Sequence, residues 1–152
     1  MPLVTCGRAS AETLNTVNNF GLLLIDQGKF EEAEKLLQRV LGGYKVQFGM
    51  DNILTLSAVN NLGFLRIHQG KQDQAEKLLN QALKGYQKVC TGEEIPLLEA
   101  VENLGDLYSK QGRSEEAGET YQRVLAGYKA SFGPPHDRCR KISETVVALE
   151  NS

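Results

Sequence analysis

Apolar residues recur along the chain at three- and four-residue steps. Leu14, Val17, Gly21, Leu24 and Ile25 follow helical spacing, which stops at Gln27-Gly28 and resumes with Phe30, Ala33, Leu37, Val40, Leu41 and Tyr44. A glycine just past an apolar helix is a common C-terminal stop, because it enters the left-handed region without a Cβ clash. The stretch is therefore predicted to form two antiparallel helices joined by a short turn. The pair Gly42-Gly43 reads as a helix ending.

The pattern returns at a period of 42 residues: "NNFGLLLIDQGKF" from Asn18, "NNLGFLRIHQGKQ" from Asn60 and "ENLGDLYSKQGRS" from Glu102. Whole registers repeat, among them Asn19/Asn61/Asn103, Gly21/Gly63/Gly105, Gly28/Gly70/Gly112, Ala33/Ala75/Ala117 and Tyr44/Tyr86/Tyr128. Self-similarity at such a period predicts stacked supersecondary units that bury a continuous core. Mid-helix glycine costs about 1 kcal/mol against alanine, so its return suggests a steric need. Gly21 and Ala33, with their repeats, are the expected points of closest approach.

The expected organisation is a tail or linker over residues 1–9, helix pairs over 10–48, 49–90 and 91–138, and a capping helix over 139–152. In that last segment Thr145 replaces the asparagine and Val147 the glycine, with Ile142, Val146 and Leu149 expected to face inward. The stretch from Cys6 to Leu14 aligns with Phe48 to Leu56, so the chain is read as starting inside an inter-repeat linker, as a piece of a longer array or a very short one.

Composition narrows the function. At 41% hydrophobic and 24% charged residues with a net charge of −2, no basic field recommends nucleic acid or an anionic membrane surface. No apolar run approaches a membrane span, and the N-terminus has no secretory-signal pattern, so a cytoplasmic setting is expected. Cys6, Cys90 and Cys139 are odd in number and far apart, with no ligand spacing, and read as buried or half-buried thiols. Gly28-Lys29 and Gly70-Lys71 lack the strand and frame of a phosphate loop. His68 and His136 are too few for a metal set. No catalytic constellation, cofactor or metal is expected.

These registers carry a resemblance. The apolar–Gly–aliphatic pattern of the first helix and the "G-K-x-x-E/Q-A" opening of the second are similar to tetratricopeptide repeats. The 42-residue period, the "NNLG" stretch and the "FGPPHD" linker resemble the long repeats of kinesin light chains and of fungal receptor-like repeat proteins. The resemblance implies an all-α fold, a right-handed α-solenoid superhelix of three helix pairs plus a C-terminal capping helix. It also implies a non-enzymatic protein–protein interaction scaffold whose first helices line a concave, partner-binding wall.

Carried onto this sequence, the wall residues are Asn15, Asn18, Asn19 and Leu22; Asn60, Asn61, Phe64 and His68; and Glu99, Glu102, Asn103 and Asp106. Asparagine offers donors and an acceptor without charge, so the ladder Asn19/Asn61/Asn103 could hold the backbone of an extended peptide. The same amides could instead brace one repeat against the next. Carboxylate-binding arrays use lysine and asparagine where Glu102 and Asp106 stand, so the expected partner is a basic or mixed apolar/basic segment. Two other readings remain open: self-association through exposed solenoid ends as a homo-oligomer, and the sensing region of a larger receptor-like protein.

Overall fold

The computed structural model describes residues 10–151, which contain seven helices and no strand. They are α1 Ala11–Asp26, α2 Phe30–Phe48, α3 Ile53–His68, α4 Gln72–Val89, α5 Ile95–Lys110, α6 Ser114–Phe132 and α7 Asp137–Glu150. The expected tail over residues 1–9, Cys6 included, lies outside the described residues. Contacts divide the chain into two compact units, one ending at Gly85 and one starting at Tyr86.

Helix ends follow from local chemistry. The Ser10 hydroxyl accepts from the Thr13 N–H at 3.1 Å and the Asn52 side-chain Oδ1 from the Leu54 N–H at 2.8 Å, each satisfying an orphan donor of a first turn. First helices stop where Gly28, Gly70 and Gly112 take φ of 78°, 76° and 76°. The residue after each glycine then bonds back six-to-one, as in Lys29 N–H to Leu24 C=O at 2.8 Å and Lys71 N–H to Arg66 C=O at 2.9 Å. Second helices open with Glu31/Glu32 and Glu115/Glu116, acids that favour the positive end of the helix dipole.

In the first unit α1 packs on α2, and α3 packs on both. Leu24, Ile25, Ala33, Leu37, Leu62 and Leu65 form one buried cluster; Leu14, Val40, Tyr44 and Ala58 form another. In the second unit α6 lies against α5 and α7. Ile142 and Val146 of α7 are buried and Leu149 is half-buried.

Two details depart from expectation. The close approach to Gly21 is made by the Leu37 side chain, whose Cδ2 would sit 2.8 Å from an added Cβ; Ala33 offers only its carbonyl oxygen, at 3.9 Å. Gly63 meets Leu79 at 2.9 Å and Gly105 meets Tyr121 at 2.9 Å in the same way. A large side chain on the second helix thus seats on a glycine of the first.

Gly42-Gly43 also does not end a helix: α2 runs on to Phe48. Gly43 instead receives Leu14 from α1, with Cδ1 2.7 Å from where a Cβ would stand, and Gly85 and Gly127 receive Leu56 and Leu98. Each hairpin is locked twice, by a leucine of the first helix on a glycine of the second and by the reverse contact. Burying a leucine contributes about 1.5–3 kcal/mol, which outweighs the roughly 1 kcal/mol propensity cost of the glycine beneath it. Gly42 has no neighbour within 4 Å of such a Cβ. Gly42→Ala is therefore expected to stabilise the chain by about 0.5–1 kcal/mol, read as a rise in the urea midpoint.

Candidate functional site

The twelve wall residues take different positions. Asn15, Asn19 and His68 are exposed; Leu22, Phe64, Glu99, Glu102, Asn103 and Asp106 are half-buried; Asn18, Asn60 and Asn61 are buried. An open ladder of asparagines is therefore not what the first unit presents. Its central amide, Asn61 Nδ2, donates to Asn18 Oδ1 at 2.9 Å, tying α3 to α1. The pair Asn18-Asn19 divides its work: one residue accepts from the next repeat and the other faces solvent. Arg66 adds a half-buried ion pair from α3 to Glu34 of α2.

Of the wall residues on α3, Phe64 and His68 remain at least partly accessible. Phe64 and His68 lie one turn apart with ring centroids 4.4 Å apart, and the His68 ring nitrogen Nδ1 is 3.0 Å from the Phe64 carbonyl. Leu22, half-buried on α1, packs at the edge of the same apolar cluster as Phe64.

The second unit carries the charge. Glu99, Glu102 and Asp106 share one stripe of α5, spaced three and four residues apart. Tyr128 of α6 donates its hydroxyl to Glu102 at 2.8 Å, and Tyr121 donates to Asp106. Arg138 of α7 pairs with Glu99 at 3.5 Å and lies 5.5 Å from the Tyr128 ring centroid. Burial pushes the Glu99 carboxyl above the usual carboxylate range, opposed in part by Arg138. Burial also raises Glu102, against the Tyr128 hydrogen bond, with the Asp106 charge adding to the rise. Tyr121 and Tyr128 are pushed up in turn, by burial first and then by their carboxylate partners. On Glu99 and Glu102 desolvation outweighs the neighbouring cations.

Tyr121, Tyr128 and Arg138 are absent from the wall read from sequence. Tyr128 carries a signal, since tyrosine recurs there in every repeat, and Glu102 supplies an acceptor where the other repeats have asparagine. Tyr121 stands where the other repeats have leucine. Arg138 has no repeat counterpart, and its placement depends on how α7 docks.

Glu102→Gln tests this electrostatics. A carboxyl raised on folding gives the folded state more protons than the unfolded chain, so stability is lost as pH climbs through the raised value. Glutamine keeps an acceptor for Tyr128 and removes the charge. The variant is expected to melt higher than wild type at neutral pH and to lose that advantage near pH ~4, where an ordinary carboxylate is about half protonated. Thermal midpoints across that range check it.

Among the described residues, no group of three or more His, Cys, Asp or Glu side chains could hold a metal ion, and no helix is long and apolar enough to cross a membrane. Cys139 is buried and its thiol faces the Gly133 carbonyl at 3.4 Å; Cys90 is half-buried.

Comparison with known proteins places this arrangement. A family model described as Tetratricopeptide repeat matches residues 11–88, and a second of the same description matches residues 100–134. No curated protein matches the chain. Among solved structures, a kinesin light chain protein of Podosopora anserina with nearly identical TPR-like repeats superposes with a TM-score of 0.78 at 19% identity, over 90% of this chain and 64% of that one. BtubC (BKLC) from P. vanneervenii superposes with a TM-score of 0.75 at 17% identity, over 91% of this chain and 56% of that one. The chain thus spans less than two thirds of either structure, and at these identities the likeness speaks for the fold. That fold is the repeat solenoid seen in those two structures, and tetratricopeptide repeats are generally protein–protein interaction scaffolds. With more than half its length matched by one family model, the chain belongs to the tetratricopeptide-repeat family.

Proposed function

We propose that the chain is a non-enzymatic interaction scaffold that takes a basic, partly apolar peptide segment against its first helices. The observation that carries this reading is the α5 stripe, where burial raises the carboxyls of Glu99 and Glu102. A partly desolvated carboxylate gains from a cation brought beside it, so a lysine or arginine of a partner would be favoured there. Asp106 extends the stripe, and Asn103 supplies a neutral amide beside it for the peptide backbone. In the first unit Leu22 and the Phe64–His68 pair would receive apolar or aromatic side chains, flanked by Asn15 and Asn19. Asn18, Asn60 and Asn61 shape the wall from within.

The test is a displayed library of random peptides selected against the folded chain, followed by dissociation constants for enriched sequences and their charge-reversed versions. Basic–apolar peptides are expected to dominate, to bind more weakly as salt rises, and to lose several-fold in affinity to Glu102→Gln/Asp106→Asn. Equal binding of acidic peptides, or indifference to the double substitution, would sink the reading.

A further inference from the structure

We infer that Arg138 of α7 fills, in the free chain, the seat that a partner's arginine takes on the α5 stripe, and so competes with the partner for it; this rests on the peptide-binding reading above. The repeat register singles the contact out. Glu99 stands where the earlier repeats have Asn15 and Ser57, and Arg138 where they have Leu54 and Pro96. Opposite charges thus enter together in the last repeat, at positions that are neutral in the others. The docking of α7 does not ask for them. Cys139, Ile142 and Val146 are its buried residues, and the cap on its first turn is the Arg138 backbone N–H on His136 Nδ1 at 3.1 Å, which leaves the guanidinium out.

The surroundings of the guanidinium select its kind. Its central carbon lies 5.5 Å from the Tyr128 ring centroid and 5.6 Å from that of Phe132, two rings of α6 that are 5.7 Å apart. Its Nη2 is 3.5 Å from Glu99 Oε2. Aromatic faces together with a carboxylate suit a planar, weakly hydrated guanidinium better than a compact, strongly hydrated ammonium. Glu102 feels the same charge, along with that of Lys141. The seat therefore favours arginine over lysine.

The present occupant is loosely held. At 3.5 Å its pair with Glu99 is longer than a charge-assisted hydrogen bond, and the two side chains keep 43% and 45% of their surface exposed. The Tyr128 hydroxyl, by contrast, reaches Glu102 at 2.8 Å and fixes that carboxylate from the α6 side. Burial keeps Glu99 raised even with Arg138 beside it, so a cation that approaches more closely gains what this one does not. A partner arginine that takes the place returns Arg138 to water, at small cost for so exposed a pair.

Calorimetric titration of the whole chain with two synthetic hexapeptides, one alternating arginine and leucine and one alternating lysine and leucine, is the test. Wild type is expected to prefer the arginine peptide; preference for the lysine peptide overturns the arginine seat. Arg138→Gln is expected to bind the arginine peptide about two- to fivefold more tightly, the effect of removing one exposed competing pair, with unchanged helical circular dichroism. Arg138→Lys, which keeps the charge and loses the ring contacts, should fall between the two. Its equality with wild type would leave plain repulsion as the cause and overturn displacement. In wild type the Arg138 Nε–H resonance is expected to move as the arginine peptide saturates the chain, and an unmoved resonance overturns the proposal. Arg138→Gln that binds no better, while wild type binds, overturns it too and leaves the peptide-binding reading standing. Failure of every chain to bind either peptide removes that reading, and this inference with it.

Discussion

Leu79→Ala is expected to lower the free energy of unfolding by about 3–5 kcal/mol, the range for a leucine deleted from a site that cannot collapse. Leu79 is fully buried and its Cδ2 and Cγ would lie 2.9 and 3.0 Å from a Cβ added at Gly63. Removing the isopropyl group leaves two small residues facing each other across a void. Gly63→Ala alone is expected to destabilise, because the new methyl must displace the fully buried Leu79 side chain. Together the two changes should be strongly non-additive. The alanine at 63 fills part of the void and recovers about 1 kcal/mol of helix propensity, so the double variant is expected to be more stable than Leu79→Ala. Urea unfolding of the four chains measures the coupling. Simple additivity would mean that the glycine is not there for Leu79.

The second large effect is at the amide pair. Asn61→Ala is expected to cost about 1–3 kcal/mol, since it leaves the buried Asn18 carbonyl oxygen without its donor. Replacing both residues by leucine removes donor and acceptor together and is expected to cost much less than the single alanine change. A double-mutant cycle by chemical denaturation separates the bond from the packing. Were Asn61→Ala to leave stability unchanged, the bond would carry no bracing, and the conservation of amides at this register within the chain would need another cause.

Much of the fold was legible in the residue pattern. The helix pairs, their stops at Gly28, Gly70 and Gly112, and the inward side of the last helix all rest on local rules that act within a few residues. The left-handed glycine is read from one dipeptide, and the helical faces from one turn to the next. The candidate site was less legible. Asn18 and Asn19 are chemically identical and adjacent in sequence, yet one is buried against Asn61 and the other faces solvent. A rotation of 100° along the helix separates those fates, and only the position of the neighbouring helix says which side is covered.

The charged stripe makes the same point from the other direction. Glu99, Glu102 and Asp106 share a helical face by spacing alone, which sequence reports. Their raised carboxyls come from burial, and their partners come from α6 and α7, 15 to 39 residues away in the chain.

By itself, then, the sequence determined the repeat, the helices and the places where small residues must stand, because those depend on periodicity and backbone sterics. Only the tertiary structure decided that leucines and glycines lock reciprocally and that Asn61 braces Asn18. Those outcomes depend on which faces meet, and a face is defined by its neighbour as much as by its own residues.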